Sequence, residues 1–512
     1  MASSSFIKAQ QFKSPLSVVA GFLLRSRETQ AGRSRDRNKE NQRLRRSLTQ
    51  LEREQKRARE ELSEAKREIE KLKAENARLR NQPPKLPDDP PLPHHSYGAK
   101  MISLCTNLAR TVGLRRAVAA LRLFFEWLGV ESKVPDWTTI RSWLCRLGVA
   151  EIESPVAEAD DWIWMADHSN QIGSEKVLAI LGIRASELPE RGQAIRHEDV
   201  RLLSIVPGVD WKREDVAREY TALAKRIGAP MALVVDGAVE LRDSAESLKK
   251  LRKKVLVLHD FKHHAANVLK KIVGKDARFN DFHSEIGRTR SAIQQTELAH
   301  LTPPPQKPKS RFMNLAATLR WAEMVSWQLS NPNSQARRDV PTKRMNEKLG
   351  WLRSFRNDVQ RWSQCQKVVS RALTFINEQG LFVGAAAELR KIIADLTVDD
   401  ASRQVAEQLI QFVNDAESQL SPGMRLPMST EILESTFGLY KQLEGQHNKG
   451  GFTTLLPAFG SLLRPSTPSR IAESFARLNV RQMRNWVADR LNQTLASKRQ
   501  QAYRECATPK PP

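Results

Sequence analysis

"MALVVDGA", residues 231–238, sets five apolar residues ahead of an aspartate and two of the smallest side chains. Bounded by Pro230 and Gly237, such a run reads as a fully buried strand, parallel to its neighbours. Asp236 then stands at the carboxyl end of the strand, the edge where open α/β sheets keep their sites. A carboxylate in a dry setting is costly unless it is paired, hydrogen-bonded or bound to a metal. Asp236 therefore needs partners from elsewhere in the chain.

The flanking sequence supplies a frame for them. "DWIWMADHS" alternates and "KVLAILGI" is apolar, with "QIGS" between them as turn chemistry, so the pair reads as a hairpin; "VRLLSIVP" makes a third strand. A helix over "DWKREDVAREYTALAKRIG", the opening strand, a helix over 239–254 and a strand "KVLVLH" complete the order β-β-β-α-β-α-β. That order matches an RNase H-like core, in which the first strand lies beside the fourth. Asp167 on the first strand would then meet Asp236. A third acid is expected on a helix packed across the same edge, and Glu434 in "STEILESTFGLYK" is the candidate. Glu431, one turn away, is its rival, although a glutamate in a first helical turn is also explained by the helix dipole.

These residues resemble the DDE transposases. "VLHDFKHHAANVLK" is similar to the C/D-x-x-H motif of the Mutator-like and hAT families, with Asp260 and His263 in the matching positions. "TLRWAEM", with Arg320 and Trp321, resembles the Arg-Trp pair of hAT insertions, and Lys441 follows Glu434 by seven positions as in the last-acid helix of bacterial members. The resemblance spans roughly residues 160–450. It implies that Asp167, Asp236 and Glu434 bind Mg²⁺ (or Mn²⁺) and that His263 works beside them. It also implies a double-stranded DNA substrate, comprising element ends and target, rather than a small molecule. Three carboxylates suit such chemistry because they give two hard cations oxygen ligands while leaving room for water and phosphate oxygens. Plainer readings compete: Asp167 as an ordinary hairpin residue, Asp260 as a helix N-cap, Trp321 as core.

The remainder of the 512 residues agrees with a DNA partner. A formal net charge of +25 favours a polyanion. Residues 25–46 hold nine arginines and lysines against three acids and run into a heptad repeat. Leu48, Gln55, Leu62, Ile69 and Asn76 fall at a; Leu44, Leu51, Ala58, Ala65, Leu72 and Leu79 fall at d. The seam predicts a coiled coil, and Asn76 at a favours a parallel homodimer. Three amphipathic patterns, near 99–111, 114–129 and 137–147, follow a proline-rich stretch; the third, capped by Asp136 or Thr138, is expected to expose Arg141 and Arg146 to DNA as a helix-turn-helix would. The four cysteines are scattered without metal or disulfide spacing, which fits a reducing compartment. No run is long enough to span a membrane, and "SVVAGFLL" at 17–24 lacks a cleavage pattern, so a cytoplasmic, nucleoid-associated protein is expected.

The expected fold class is thus multidomain α plus α/β. Its parts are a disordered basic arm (1–43), a dimerising coiled coil (44–80), a proline-rich linker (81–97) and a helical DNA-binding module (98–150). An RNase H-like core follows (160–264 and 426–465), interrupted by an all-helical insertion (265–425) in which Trp321, Trp327, Trp351 and Trp362 make the core, and ending in a basic helical tail (466–512).

Overall fold

A computed structural model describes residues 15–80, 88–130, 132–172, 175–306, 312, 315–333, 340–445, 454–491 and 495–507. The chain is mostly helical around a small mixed sheet, and it divides into two compact units. One unit contains the long helix α1 (Leu16–Arg80), grouped with Trp127–Val130; the other holds the remaining described residues.

Helix α1 corrects the expected disordered arm. It begins at Leu16, well upstream of the heptads, because residues 25–46 are rich in arginine, lysine, glutamate and glutamine, all good helix formers. Residues 1–14 of that arm and 81–87 of the proline-rich linker lie outside the described residues. The heptad seam faces solvent in the single chain, with Leu44, Leu48, Leu51, Leu62, Ile69 and Leu72 all exposed.

In the second unit the sheet has the order β3-β2-β1-β4-β5, formed by β1 (Trp162–Ile172), β2 (Glu175–Arg184), β3 (Arg201–Val209), β4 (Ala232–Val235) and β5 (Leu256–His259). β1 pairs antiparallel with β2 and parallel with β4; β2 pairs antiparallel with β3, and β4 parallel with β5. Both faces of β4 are covered, as its unbroken apolar run requires. Trp164, Ala166, Leu233 and Val235 pack with Val216, Tyr220 and Leu223 of α5 (Arg213–Ile227). Met165, Val234 and Leu258 face the opposite way, toward α8 (Phe261–Ile272). The expected single helix over 239–254 is two short ones, α6 (Val239–Ser244) and α7 (Glu246–Lys249).

Three helices precede the sheet: α2 (Ala99–Val112), α3 (Leu114–Leu128) and α4 (Trp137–Ile152). Asp136 caps α4 by accepting from the Thr138 amide at 2.9 Å, and Asp89 caps α2 through the amides of Lys100 and Met101 at 2.8 and 2.7 Å. The expectation that α4 offers Arg146 to DNA is corrected. Arg146 is only 6% exposed; it donates to the carbonyls of Leu478 and Phe475, lies 2.8 Å from His95 Nε2 and stacks on the Phe475 ring. Arg141 is half-buried and donates to Thr454. α4 is closed over by the 456–461 turn and by α16 (Pro468–Arg477) and α17 (Val480–Arg490), so the tail belongs to the same helical layer as the 98–150 module. That approach needs Gly148, since a Cβ there would fall 1.8 Å from the Pro457 carbonyl oxygen. α18 (Leu495–Ala507) ends the described chain.

The insertion is helical, with α9 (Ala277–Ile293), α10 (Leu315–Ser330), α11 (Thr342–Leu349), α12 (Arg356–Gln379), α13 (Ala385–Ile393) and α14 (Asp400–Glu417), plus one two-residue strand pair, β6 (Leu381–Phe382) with β7 (Arg425–Leu426). Trp321 and Trp362 are buried and Trp351 is half-buried, but Trp327 is 55% exposed and is not part of that core. Helix α15 (Glu431–Gly445) returns the chain to the sheet.

Candidate functional site

The register of the parallel pair builds the site. Ala166 lies opposite Val235, so the next step along both strands sets Asp167 beside Asp236. Neighbouring strands are about 4.8 Å apart. Side chains alternate between faces, and these two follow Met165 and Val234, so they share the α8 side of the sheet. Asp236 sits just past β4, before Gly237 at φ +93°, where the chain turns sharply into α6.

Asp260 brings the remaining groups to this edge. Its amide donates to Val235 O at 2.8 Å, and the next amide, Phe261, donates to Met428 O at 2.9 Å. Its side chain, fully buried, accepts from the amide of His263 at 2.7 Å, from His263 Nδ1 at 3.1 Å, and from Thr430 N and Oγ1 at 2.5 and 2.9 Å. One carboxylate thus caps α8, orients the imidazole and fastens the start of α15. Burial alone would raise the Asp260 carboxyl; the His263 hydrogen bond and the Thr430 amide outweigh it and hold it below its ordinary value. The sequence marked Asp260 as a motif residue and a possible N-cap, but not as the clamp on α15, because Thr430 is 170 positions away.

Glu434 consequently lies over the sheet edge. Its Oε1 is 3.8 Å from His263 Nε2 and its Oε2 is 2.7 Å from Lys262 Nζ. Glu431 turns to Asn377 Nδ2 at 2.8 Å and to Lys262 Nζ at 3.3 Å. Asp167, 7% exposed, has its carboxyl pushed up to about 7, first by burial, then by the charge of Asp236 and in smaller part by Glu434, while the His168 amide and His263 pull the other way. Asp167, Asp236, Glu434 and His263 are therefore within electrostatic reach of one another.

The adjacent histidines of "KHH" are driven apart. Burial would lower His263, but the Asp260 hydrogen bond and the charges of Asp260, Glu434 and Asp236 raise it to about 9. His264, stacked on Phe412 at 3.7 Å, is lowered to about 4 by burial and by Lys271. A raised pKa means that the folded state holds its proton more tightly than the unfolded one. This stabilisation is complete below pH ~6.5 and lost as pH rises toward 9, an upper bound on the order of 3 kcal/mol. The melting temperature of the metal-free protein should fall over that window, and His263→Gln should flatten the fall; an unchanged slope would refute the Asp260–His263 coupling.

Among the described residues, Asp167 and Asp236 are hydrogen-bonded by the neighbouring amides of His168 and Ala238, at 2.6 and 2.8 Å, and by no lysine or arginine. Two side-by-side carboxylates of this kind fit a hard divalent cation. No group of three or more histidine, cysteine, aspartate or glutamate side chains is drawn together as a metal cage among the described residues, and Glu434 is held by Lys262 instead.

The other residues expected to touch DNA lie elsewhere. Trp321 is core, its Nε1 donating to Leu301 O at 2.7 Å, which removes it as a base-stacking candidate. Arg320 is exposed on α10, and Lys441 is exposed on α15, two turns beyond Glu434 on the same side of the helix.

No protein-family model matches the chain, and no curated protein matches it. Among solved structures it is similar to the Drosophila P element transposase in its strand transfer complex, with 11% identity and a TM-score of 0.36, over 81% of this chain and 100% of that one. Among the described residues, no helix is long and apolar enough to cross a membrane.

Proposed function

We propose that the chain is a DNA transposase with an RNase H-like core that cuts and joins DNA by a DDE mechanism. The observation that carries this reading is the placing of Asp167, within β1, beside Asp236, just past the end of the parallel strand β4, with Glu434 brought to the same edge by α15 and His263 by α8. Mg²⁺ or Mn²⁺ would be held by Asp167, Asp236 and Glu434, and would supply charge stabilisation for in-line displacement at phosphorus. The chain's own contribution is positional. The sheet fixes the two aspartates, and Asp260 holds His263 where its N–H can meet a phosphate oxygen.

Double-stranded DNA is the proposed partner, inside the cell with the chromosome. The charge of +25, the arginine-rich start of α1, and the exposed Arg320 and Lys441 suit phosphate contacts. Duplexes carrying the DNA that flanks the coding sequence test the proposal. With Mg²⁺, discrete cuts followed by joining of the new 3′ ends to a plasmid are expected. Cutting without joining would point to a nuclease. Binding without cutting would point to a catalytically silent regulator, a reading that the retention of all three acids argues against.

Two ends must be held together, and we assign that task to α1 as a parallel dimer. Among the described residues six leucine and isoleucine seam positions are exposed, and Asn76 Nδ2 donates to its own helix at Leu72 O, 3.2 Å, leaving its carbonyl oxygen for a partner. Replacing Leu62 and Ile69 with glutamate should convert a dimer to a monomer in sedimentation of the full chain at tens of micromolar, roughly where ordinary coiled coils assemble. A wild-type monomer, or a trimer, would defeat the assignment.

A further inference from the structure

Lys262 occupies an unusual place for a cation. It lies in the first turn of α8, where the helix dipole disfavours positive charge, and its side chain is only 20% exposed. Two glutamates of α15, one turn apart, compensate it: Glu434 at 2.7 Å and Glu431 at 3.3 Å. The two acceptors are not equivalent. Glu431 is tied on its far oxygen to Asn377, while Glu434 reaches back toward His263 and the aspartate pair.

Resting on the reading of Asp167, Asp236 and Glu434 as metal ligands, we propose that Lys262 is a positioning residue that holds Glu434 off the site until divalent metal arrives, with Glu431, already its second acceptor, retaining the ammonium once Glu434 is released. The geometry accounts for three facts together. The third acid is not closed onto the first two because an ammonium already satisfies it. Glu431 is present one turn upstream because a lysine released from Glu434 would otherwise be a partly buried, unpaired charge. Asn377 fixes Glu431 so that the lysine, not the glutamate, makes the move. Loading is then an exchange of one cation for another at Glu434, with the ammonium, already 3.3 Å from Glu431, settling onto that carboxylate and never left without a partner.

The exchange makes opposite predictions for the two ends of the lysine's path. Lys262→Met removes the competitor and should tighten Mn²⁺ binding to the full-length, DNA-free protein roughly five- to tenfold, as read by electron paramagnetic resonance titration. Glu431→Gln weakens the alternate acceptor, keeps the lysine on Glu434, and should loosen Mn²⁺ by a similar factor. Asp236→Ala tests the underlying reading separately by abolishing the tight Mn²⁺ site. Unchanged Mn²⁺ binding in Asp236→Ala would overturn the metal site itself. Loss of binding in Asp236→Ala, together with unchanged or weaker binding in Lys262→Met, would overturn only the role of Lys262. Tighter binding in both Lys262→Met and Glu431→Gln would show that Glu431 is no acceptor.

Discussion

Asp236→Ala should bring Mg²⁺-dependent strand cleavage down to background, a loss of at least about a thousandfold or ~4 kcal/mol of transition-state stabilisation, while duplex affinity changes by less than about twofold. The size of the effect follows from position. Asp236 is the group at the end of β4 whose charge reaches both Asp167 and His263, and the sheet register leaves no other carboxylate beside Asp167. Removing it leaves Asp167, whose charged form burial disfavours, and Glu434, which is paired with Lys262, to hold a divalent ion. Affinity should survive because phosphate contacts spread over a basic surface supply most of it. Among the described residues the Asp236 carboxylate accepts from the Ala238 amide at 2.8 Å and from no other group, so the fold loses little. Cleavage at the wild-type rate by the variant would refute metal-dependent catalysis at this edge. Parallel loss of cleavage and binding would show that Asp236 acts on structure.

How much of this was legible beforehand depends on whether the information is local. The apolar run before Asp236 and the alternation around Asp167 each report which faces are buried, and together with the hairpin they imply the neighbouring of β1 and β4 that the sheet has. The helices 99–112, 114–128 and 137–152 follow the same kind of signal. What covers a face is not written in its periodicity. Arg146 is expected at the surface because an arginine is seldom fully buried, yet its partners are carbonyls more than 300 positions away. A local sign was present: "WLCRLGVA" is apolar nearly all round, the pattern of a helix buried on every side rather than one free to enter a groove. The Asp260–Thr430 clamp and the Lys262–Glu434 pair are of the non-local kind, joining residues on either side of the whole insertion.

The same distinction governs the insertion's tryptophans, which the sequence treats alike and the structure does not. Trp362 is 1% exposed and meets Phe279 edge-on at 5.1 Å and Phe282 at 5.2 Å, at the junction of α9 and α12. Truncation to alanine would leave a cavity that two large rings on another helix cannot readily fill, so Trp362→Ala should cost about 3–5 kcal/mol. Trp362→Phe should cost far less, under about 1.5 kcal/mol. It keeps an aromatic face for both phenylalanines and deletes an indole N–H that has no hydrogen-bond partner among the described residues. Trp327→Ala, at a position 55% exposed, should stay within about 0.5 kcal/mol of the native protein. Hydrogen exchange read peptide by peptide separates these cases without assuming that a chain of this size unfolds in one step. Trp362→Ala should strip protection from α9 and α12 together, and Trp327→Ala should leave both unchanged. Equal effects of the two alanine substitutions would mean that the Phe279–Phe282–Trp362 cluster is not what holds the insertion to its core.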